Sequence, residues 1–135
     1  MKTENYAEST EYRLIADEVI SEKDDLHWLL SMGVRLAFIE SAKKKMSEGK
    51  EVYAECIKVE ELWQVFCPCD FIIVIYGQHV QGMSKEQKKI LLYHELLHCS
   101  YDETKNGVKY RTAPHDIEDF RVIIDNYGLD WARVM

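Results

Sequence analysis

The chain has 135 residues, of which 47% are hydrophobic and 30% charged, so we expect a single domain over residues 1–135 with a core of its own. Its formal net charge of −7 and its pI near 5.2 argue against a protein that binds nucleic-acid phosphates. No run approaches the about 20 apolar residues of a membrane span. The first residues are polar and show no secretion signal, and we expect residues 1–8 to be a loose segment. These features predict a cytoplasmic protein with no membrane partner.

The first third of the chain combines helical and strand patterns. Residues 9–20 carry one apolar helical face, and the polar stretch 22–25 precedes a second short helix that ends before Gly33. Residues 34–39 alternate as a strand does, although a helix over residues 25–46 also fits them. The apolar face of the first helix comprises Tyr12, Ile15, Ala16, Val19 and Ile20.

The middle of the chain contains the clearest strand. Phe71–Tyr76 consists of β-branched and aromatic residues throughout, which predicts a strand buried on both faces. Before it, Lys43–Lys50 is a charged connection, Val52–Val59 a second strand and Glu60–Phe66 a short helix that Pro68 ends. Four cysteines are present, and we interpret them as reduced thiols, including the Cys-Pro-Cys pair, because no second paired motif completes a metal site. They are Cys56, Cys67, Cys69 and Cys99.

A capped amphipathic helix follows. Ser84 and Gln87 have the spacing of a capping box, which starts a helix predicted to run to about Ser100. Two faces are predicted, an apolar stripe for the core and a second face that carries ionisable groups. The stripe comprises Ile90, Tyr93 and Leu97, and the second face Leu91, His94, Glu95 and His98. Further on, residues 108–112 predict a short strand or turn, and Pro114 precedes a last helix over residues 115–127, with Ile117, Phe120, Ile123 and Ile124 inward and Gly128 as its end.

The capped helix contains the sequence His94-Glu95-Leu96-Leu97-His98, an HExxH motif. Side chains four residues apart share one helical face, so the two imidazoles can hold one metal ion. The glutamate beside them can act on a water at that ion. This arrangement is typical of a zinc-dependent hydrolase with Glu95 as general base.

Catalytic zinc usually has three protein ligands, so one more must come from elsewhere. His115, 17 residues after His98, is the first choice, Glu118 is the alternative, and Asp102 is a weaker third. If His115 binds the metal, Glu118 or Asp119 would orient an imidazole. Geometry along the chain leaves this choice open.

Four further residues have both a functional and a structural interpretation. Tyr101 and Tyr110 are close enough in sequence to stabilise an oxyanion, although packing is the preferred interpretation of both tyrosines. His27 and His79 have no partners at metal-ligand spacing, so we interpret them as surface or packing residues.

The predicted fold is an α/β (α+β) domain of minimal zincin-like type. A small mixed sheet of about three or four strands would carry the motif helix on one face, with N- and C-terminal helices completing the core. The active-site cleft would lie between the motif helix and an edge of the sheet.

Three segments in this order resemble the Putative phage metallopeptidase family, a small zincin-like family of phages and prophages. They are residues 70–75, residues 87–98 with the motif, and residues 115–120, within a resemblance that spans about residues 12–128. The resemblance implies His94, His98 and His115 as ligands of one zinc ion and Glu95 as catalytic acid and base. The plan is also similar to that of SprT-like zincins.

Together the motif and the resemblance imply a zinc-dependent peptidase that acts on a protein or peptide substrate in the cytoplasm of a bacterial host. The alternative is a catalytically silent zinc-binding module that regulates or binds another protein. A nuclease with the same metal is disfavoured by the acidic charge. The sequence does not specify the substrate or the oligomeric state.

Overall fold

The computed structural model describes residues 2–115, 123, 126–128 and 131. Their elements, in chain order, are β1 (Tyr6–Glu8), α1 (Thr10–Glu22), α2 (Trp28–Ser31), β2 (Leu36–Ser41), β3 (Met46–Ser47), β4 (Lys50–Glu51), β5 (Ala54–Lys58), β6 (Phe71–Tyr76), α3 (Gly77–Val80), α4 (Lys85–Leu97), β7 (Cys99–Thr104) and β8 (Gly107–Thr112). Two 3₁₀ helices, Asp24–Leu26 and Glu61–Val65, lie before α2 and after β5.

The main sheet has four strands in the order β1–β2–β6–β5. The pair β2 and β6 is parallel, with Leu36 opposite Phe71, whereas β1 and β5 join antiparallel at the two edges. The expected small mixed sheet is therefore confirmed, and the apolar strand β6 lies inside it as its composition predicts. Residues 1–8 were expected to be loose, but Tyr6–Glu8 form an edge strand against β2.

Helix α1 forms as its sequence predicts and packs on α4. Ser9 is the N-cap, and its hydroxyl accepts a hydrogen bond from the Tyr12 N–H. The five residues predicted for its inner face are all buried. Lysines of α4 pair with glutamates of α1 around this contact, namely Lys85–Glu18, Lys88–Glu11 and Lys89–Glu22. The apolar faces thus set the packing of α4, and the charged rim adds little stability because it is partly exposed.

The competing helix over residues 25–46 is not formed. Gly33 ends α2 with a φ of +64°, a left-handed conformation that glycine adopts without strain. The chain then reverses, and Val34 N–H donates to the Leu29 carbonyl at 2.9 Å. From Leu36 onward the backbone pairs with β6, because that pairing buries Phe38 in the core.

A small hairpin occupies the segment that was interpreted as a charged connection. Strands β3 and β4 pair through a turn at Glu48 and Gly49, which both have positive φ. Such a two-residue turn matches the twist of the strands it joins. The buried imidazole of His79 holds the hairpin, since its Nε2 accepts from the Lys45 N–H at 3.2 Å and its Nδ1 lies 3.3 Å from Glu51. His79 is therefore a packing residue, whereas His27 is exposed.

The motif helix ends three residues earlier than predicted. Helix α4 stops at Leu97, and Cys99–Thr104 form β7, which pairs antiparallel with β8. In place of helical hydrogen bonds, the backbone groups of Cys99–Thr104 are satisfied by pairing with Gly107–Thr112. The predicted division of α4 into two faces is also wrong for Leu91, which is buried in the core with Leu92 and Leu96, while Leu97 is only partly buried.

Most of the predicted C-terminal helix lies outside the described residues, including Ile117, Phe120 and Ile124. Within the described part, Ile123 and Trp131 are buried in the same core as α1 and α4. Gly128 has a φ of +83°. Among the described helices, none is both long enough and apolar enough to cross a bilayer.

Candidate metal centre

Helix α4 presents two histidines at its C-terminal end. Its start is fixed by a complete capping box, in which Ser84 Oγ accepts from Gln87 N–H and Gln87 Oε1 accepts from Ser84 N–H. Its far end carries His94 and His98, whose ring centroids are 5.2 Å apart. One helical turn therefore sets the spacing of the first two candidate ligands.

The hairpin β7–β8 brings His115 back to this helix. Cys99 lies opposite Thr112 in the hairpin, and the pairing extends one residue further, because Ala113 N–H donates to the His98 carbonyl at 2.6 Å. His115 follows two residues later. The separation of 17 residues between His98 and His115 is thus the length of a tight hairpin that returns to its own starting point.

The three imidazoles converge on one point. His115 Nε2 lies 2.9 Å from His94 Nε2 and 3.0 Å from His98 Nε2, and the candidate ligand atoms of all three histidines lie within 4.8 Å of one another. Ligand nitrogens on one tetrahedral zinc ion are about 3.3 Å apart, from a bond length of about 2.05 Å. The spacing of the cluster is close to this value, so His94, His98 and His115 could hold one metal ion.

The tautomer of His98 suits a metal ligand. Its Nδ1 lies 2.6 Å from the Ala113 carbonyl oxygen, which can only accept a hydrogen bond. Nδ1 therefore carries the hydrogen, and in the neutral ring Nε2 presents its lone pair to the cluster. The same residue, Ala113, thus fixes the His98 backbone and the His98 ring. Backbone carbonyls commonly orient metal-binding histidines in this way.

Glu95 lies next to the cluster and is almost fully buried. Its side chain is 6% exposed, and its Oε2 is 3.9 Å from His94 Nε2. The pKa of the nearby Cys56 thiol lies far above its usual value. The causes are its hydrogen bond with the Cys99 thiol, its burial and the charge of Glu95. Cys56 is therefore a neutral wall residue, while Glu95 is the carboxylate positioned beside the three imidazoles.

A cleft of about 470 Å³ opens beside the imidazoles. One wall is the edge strand β5, and the other is the segment that follows β8. Its lining comprises Ala54, Glu55, Cys56, His94, Glu95, His98, Thr112, Ala113, Pro114 and His115. The concavity around β1 does not combine such donors, since it is lined by Lys2–Ala7 and neighbouring residues of β2 and α3. The predicted position of the cleft, between the motif helix and a sheet edge, agrees with this geometry.

Glu55 is in the cleft wall but is tied to the sheet. Its carboxylate accepts hydrogen bonds from Lys45 Nζ and, at 2.5 Å, from the Tyr76 hydroxyl. Burial raises the pKa of Glu55, but the hydrogen bonds from Lys45 and Tyr76 outweigh this effect, so the net pKa lies below the usual value. Glu55 is thus a structural carboxylate that remains ionised near neutral pH.

The remaining candidates lie away from the cluster or outside the described residues. Tyr101 packs against Trp28 with tilted rings whose centroids are 4.9 Å apart, and Tyr110 packs edge-on against Phe71 at 5.8 Å, so the hairpin tyrosines pack and do not line the cleft. Asp102 pairs with Arg111 at 3.0 Å on the exposed side of the hairpin. Glu118 and Asp119 lie outside the described residues.

Sequence reasoning missed two parts of the site. The Ala113 carbonyl orients His98, and no side-chain pattern reports a backbone acceptor. Trp131 is a second contributor, because its ring lies 6.4 Å from that of His94 and its carbonyl lies 3.5 Å from Gln87 Nε2. In the sequence, the large apolar side chain of Trp131 indicates a core residue, but its partner could not be named from the sequence.

Comparison with known proteins gives one family. No curated protein and no solved structure matches the chain. The family model described as Putative phage metallopeptidase matches residues 4–135, which is nearly the whole chain. The chain therefore belongs to the Putative phage metallopeptidase family.

Proposed function

We propose that this protein is a zinc-dependent peptidase of the cytoplasm of a bacterial host, with His94, His98 and His115 as zinc ligands and Glu95 as general base and acid. The observation that carries the proposal is the convergence of three Nε2 atoms beside a buried carboxylate. The family model supports a metallopeptidase in general terms.

The donor set suits zinc. Three imidazoles and no thiolate are typical of a catalytic zinc site, which leaves a fourth position for water or substrate. A zinc ion held there would polarise a substrate carbonyl and lower the pKa of a bound water to about 7. His115 and the cleft lie on the exposed side of the cluster, so a substrate has access to the fourth position.

Glu95 would act as the general base and then as the general acid. Its carboxylate accepts one proton from the attacking water and then passes that proton to the leaving amine. Because the Glu95 side chain is buried, few solvent molecules can compete with the attacking water for its carboxylate, which lies 3.9 Å from His94 Nε2. Ala113 would hold the His98 ring in its metal-binding tautomer throughout the cycle.

The substrate we propose is an extended peptide. Among the described strands, β5 is an edge of the sheet and pairs with β6 alone, so its other edge offers backbone donors and acceptors. The cleft begins at Ala54–Cys56 on this strand and ends at the three histidines. A peptide aligned with β5 would therefore bring one of its carbonyl groups to the cluster.

Peptide hydrolysis by the zinc-loaded protein tests the proposal. Wild type should cleave members of a mixed peptide library, and Glu95→Gln should lose 10²–10⁴-fold of the rate, roughly the range for a missing general base, while it still binds zinc. Glu86→Gln, the same change at an exposed position of the same helix, serves as the matched control and should retain the rate. Zinc binding without cleavage of any peptide would favour the catalytically silent binding module.

A further inference from the structure

An exposed apolar surface lies at the far end of β5, away from the cleft. The 3₁₀ helix Glu61–Val65 and the next residue turn four large apolar side chains to solvent. Their exposed fractions are 73% for Leu62, 62% for Trp63, 75% for Val65 and 87% for Phe66. We call these four residues the 62–66 patch. Leu14 and Leu30, by contrast, lie on separate helices and are exposed singly, which is common on monomeric proteins.

The polar residue inside this segment holds the patch in place. The Gln64 amide donates to the Val59 carbonyl at 3.1 Å, and its oxygen accepts from Arg35 at 3.1 Å. The following turn is fixed by Cys69 N–H, which donates to the Cys67 carbonyl at 2.8 Å across Pro68. With Gln64 turned inward, its apolar neighbours are held outward, so the patch is a formed surface and needs no ordering on binding.

The area of the patch is that of a small protein interface. Side chains of these sizes at these exposures present roughly 600 Å², as large as the largest apolar patches on typical monomers. Two such patches facing each other would remove at most roughly 1,200 Å² from water, which is the lower limit of specific interfaces. A second copy of the chain therefore supplies enough area by itself.

The charges around the patch are nearly balanced, although the whole chain carries −7. Lys58 pairs with Glu60 at 3.3 Å, and Arg35 pairs with Asp70 at 3.0 Å. Of the charged groups named at this rim, Glu61 alone adds net charge. Two copies can therefore approach through this face with little of the repulsion that the net charge would impose elsewhere.

We propose that the 62–66 patch is the interface of a symmetric homodimer. A two-fold axis places the same patch on both sides of the interface, so both copies bury the same four side chains. Trp63 and Phe66 are the residue types that contribute most to such contacts. Because the patch follows the end of β5 opposite to Ala54, the cleft stays open in the dimer.

Sedimentation velocity of the full-length chain tests this proposal. Wild type should change from monomer mass to dimer mass between about 1 and 500 µM, the range expected for an interface of this size. Leu62→Asp should weaken the dimer at least tenfold, and Leu14→Asp, the same change at a leucine of similar exposure on α1, should leave it unchanged. Phe66→Ser gives a second disruption, and circular dichroism checks that each variant is folded.

Three results would overturn the proposal. These are a wild type that stays monomeric up to about 500 µM, a Leu62→Asp dimer as strong as that of wild type, and an equal loss in Leu14→Asp. The readout is mass, so it does not depend on whether the protein cleaves peptides.

Discussion

Leu92 anchors the motif helix in the core and is 0% exposed. Leu92→Ala removes three carbons, which costs about 2.4 kcal/mol at about 0.8 kcal/mol for each buried carbon. The cavity left behind adds a further cost, so we expect a loss of about 3 kcal/mol. A chain of 135 residues has an unfolding entropy of about 0.28 kcal/mol/K, so the melting temperature should fall by about 10 °C.

The matched control is Leu14→Ala on α1, where the leucine is 63% exposed. Little buried surface is lost there, and alanine favours the helix, so the stability should change by less than about 0.5 kcal/mol. Thermal and urea unfolding of the two variants measure the difference, with the metal state held the same in each. Equal losses in Leu92→Ala and Leu14→Ala would refute the packing of α4 described above.

Two further predictions concern the metal and the pH. Removal of metal with a chelator should lower the melting temperature by about 10 °C relative to protein in zinc at 100 times its dissociation constant, because binding then adds about 2.7 kcal/mol. His94→Ala should show no such difference in calorimetry, and a zinc-dependent shift in this variant would contradict the assigned ligands. Because the pKa of Glu55 is lowered in the fold, its contribution to stability is present above the usual value of 4.5 and is lost as the pH falls through the folded pKa. Urea unfolding of wild type and Glu55→Gln should therefore give stabilities that converge as the pH falls below 4.5, and a constant difference would count against these hydrogen bonds.

The local patterns of this chain predicted its local structure well. The inner face of α1, the capping box of α4 and the apolar strand β6 are each determined by residues close in sequence. Side-chain periodicity and caps act over one or two turns, so a single sequence contains the information needed.

The predictions that failed depended on contacts between distant residues. The end of α4 is set by pairing of Cys99 with Thr112, and Tyr6–Glu8 are held by pairing with β2. Backbone pairing across such separations leaves no periodic signal in either segment. Packing was the preferred interpretation of Tyr101 and Tyr110, but their partners Trp28 and Phe71 lie far away in sequence and could not be named from it.

The zinc content of His115→Ala measures whether three histidines hold one zinc ion. After dialysis against buffer with a weak chelator, wild type should retain one zinc ion per chain, and His27→Ala, which removes an exposed histidine, should do the same. His115→Ala should retain far less, because two ligands from one helix cannot hold the ion without the third. One zinc per chain in His115→Ala, with an affinity equal to that of wild type, would show that His115 is not a zinc ligand.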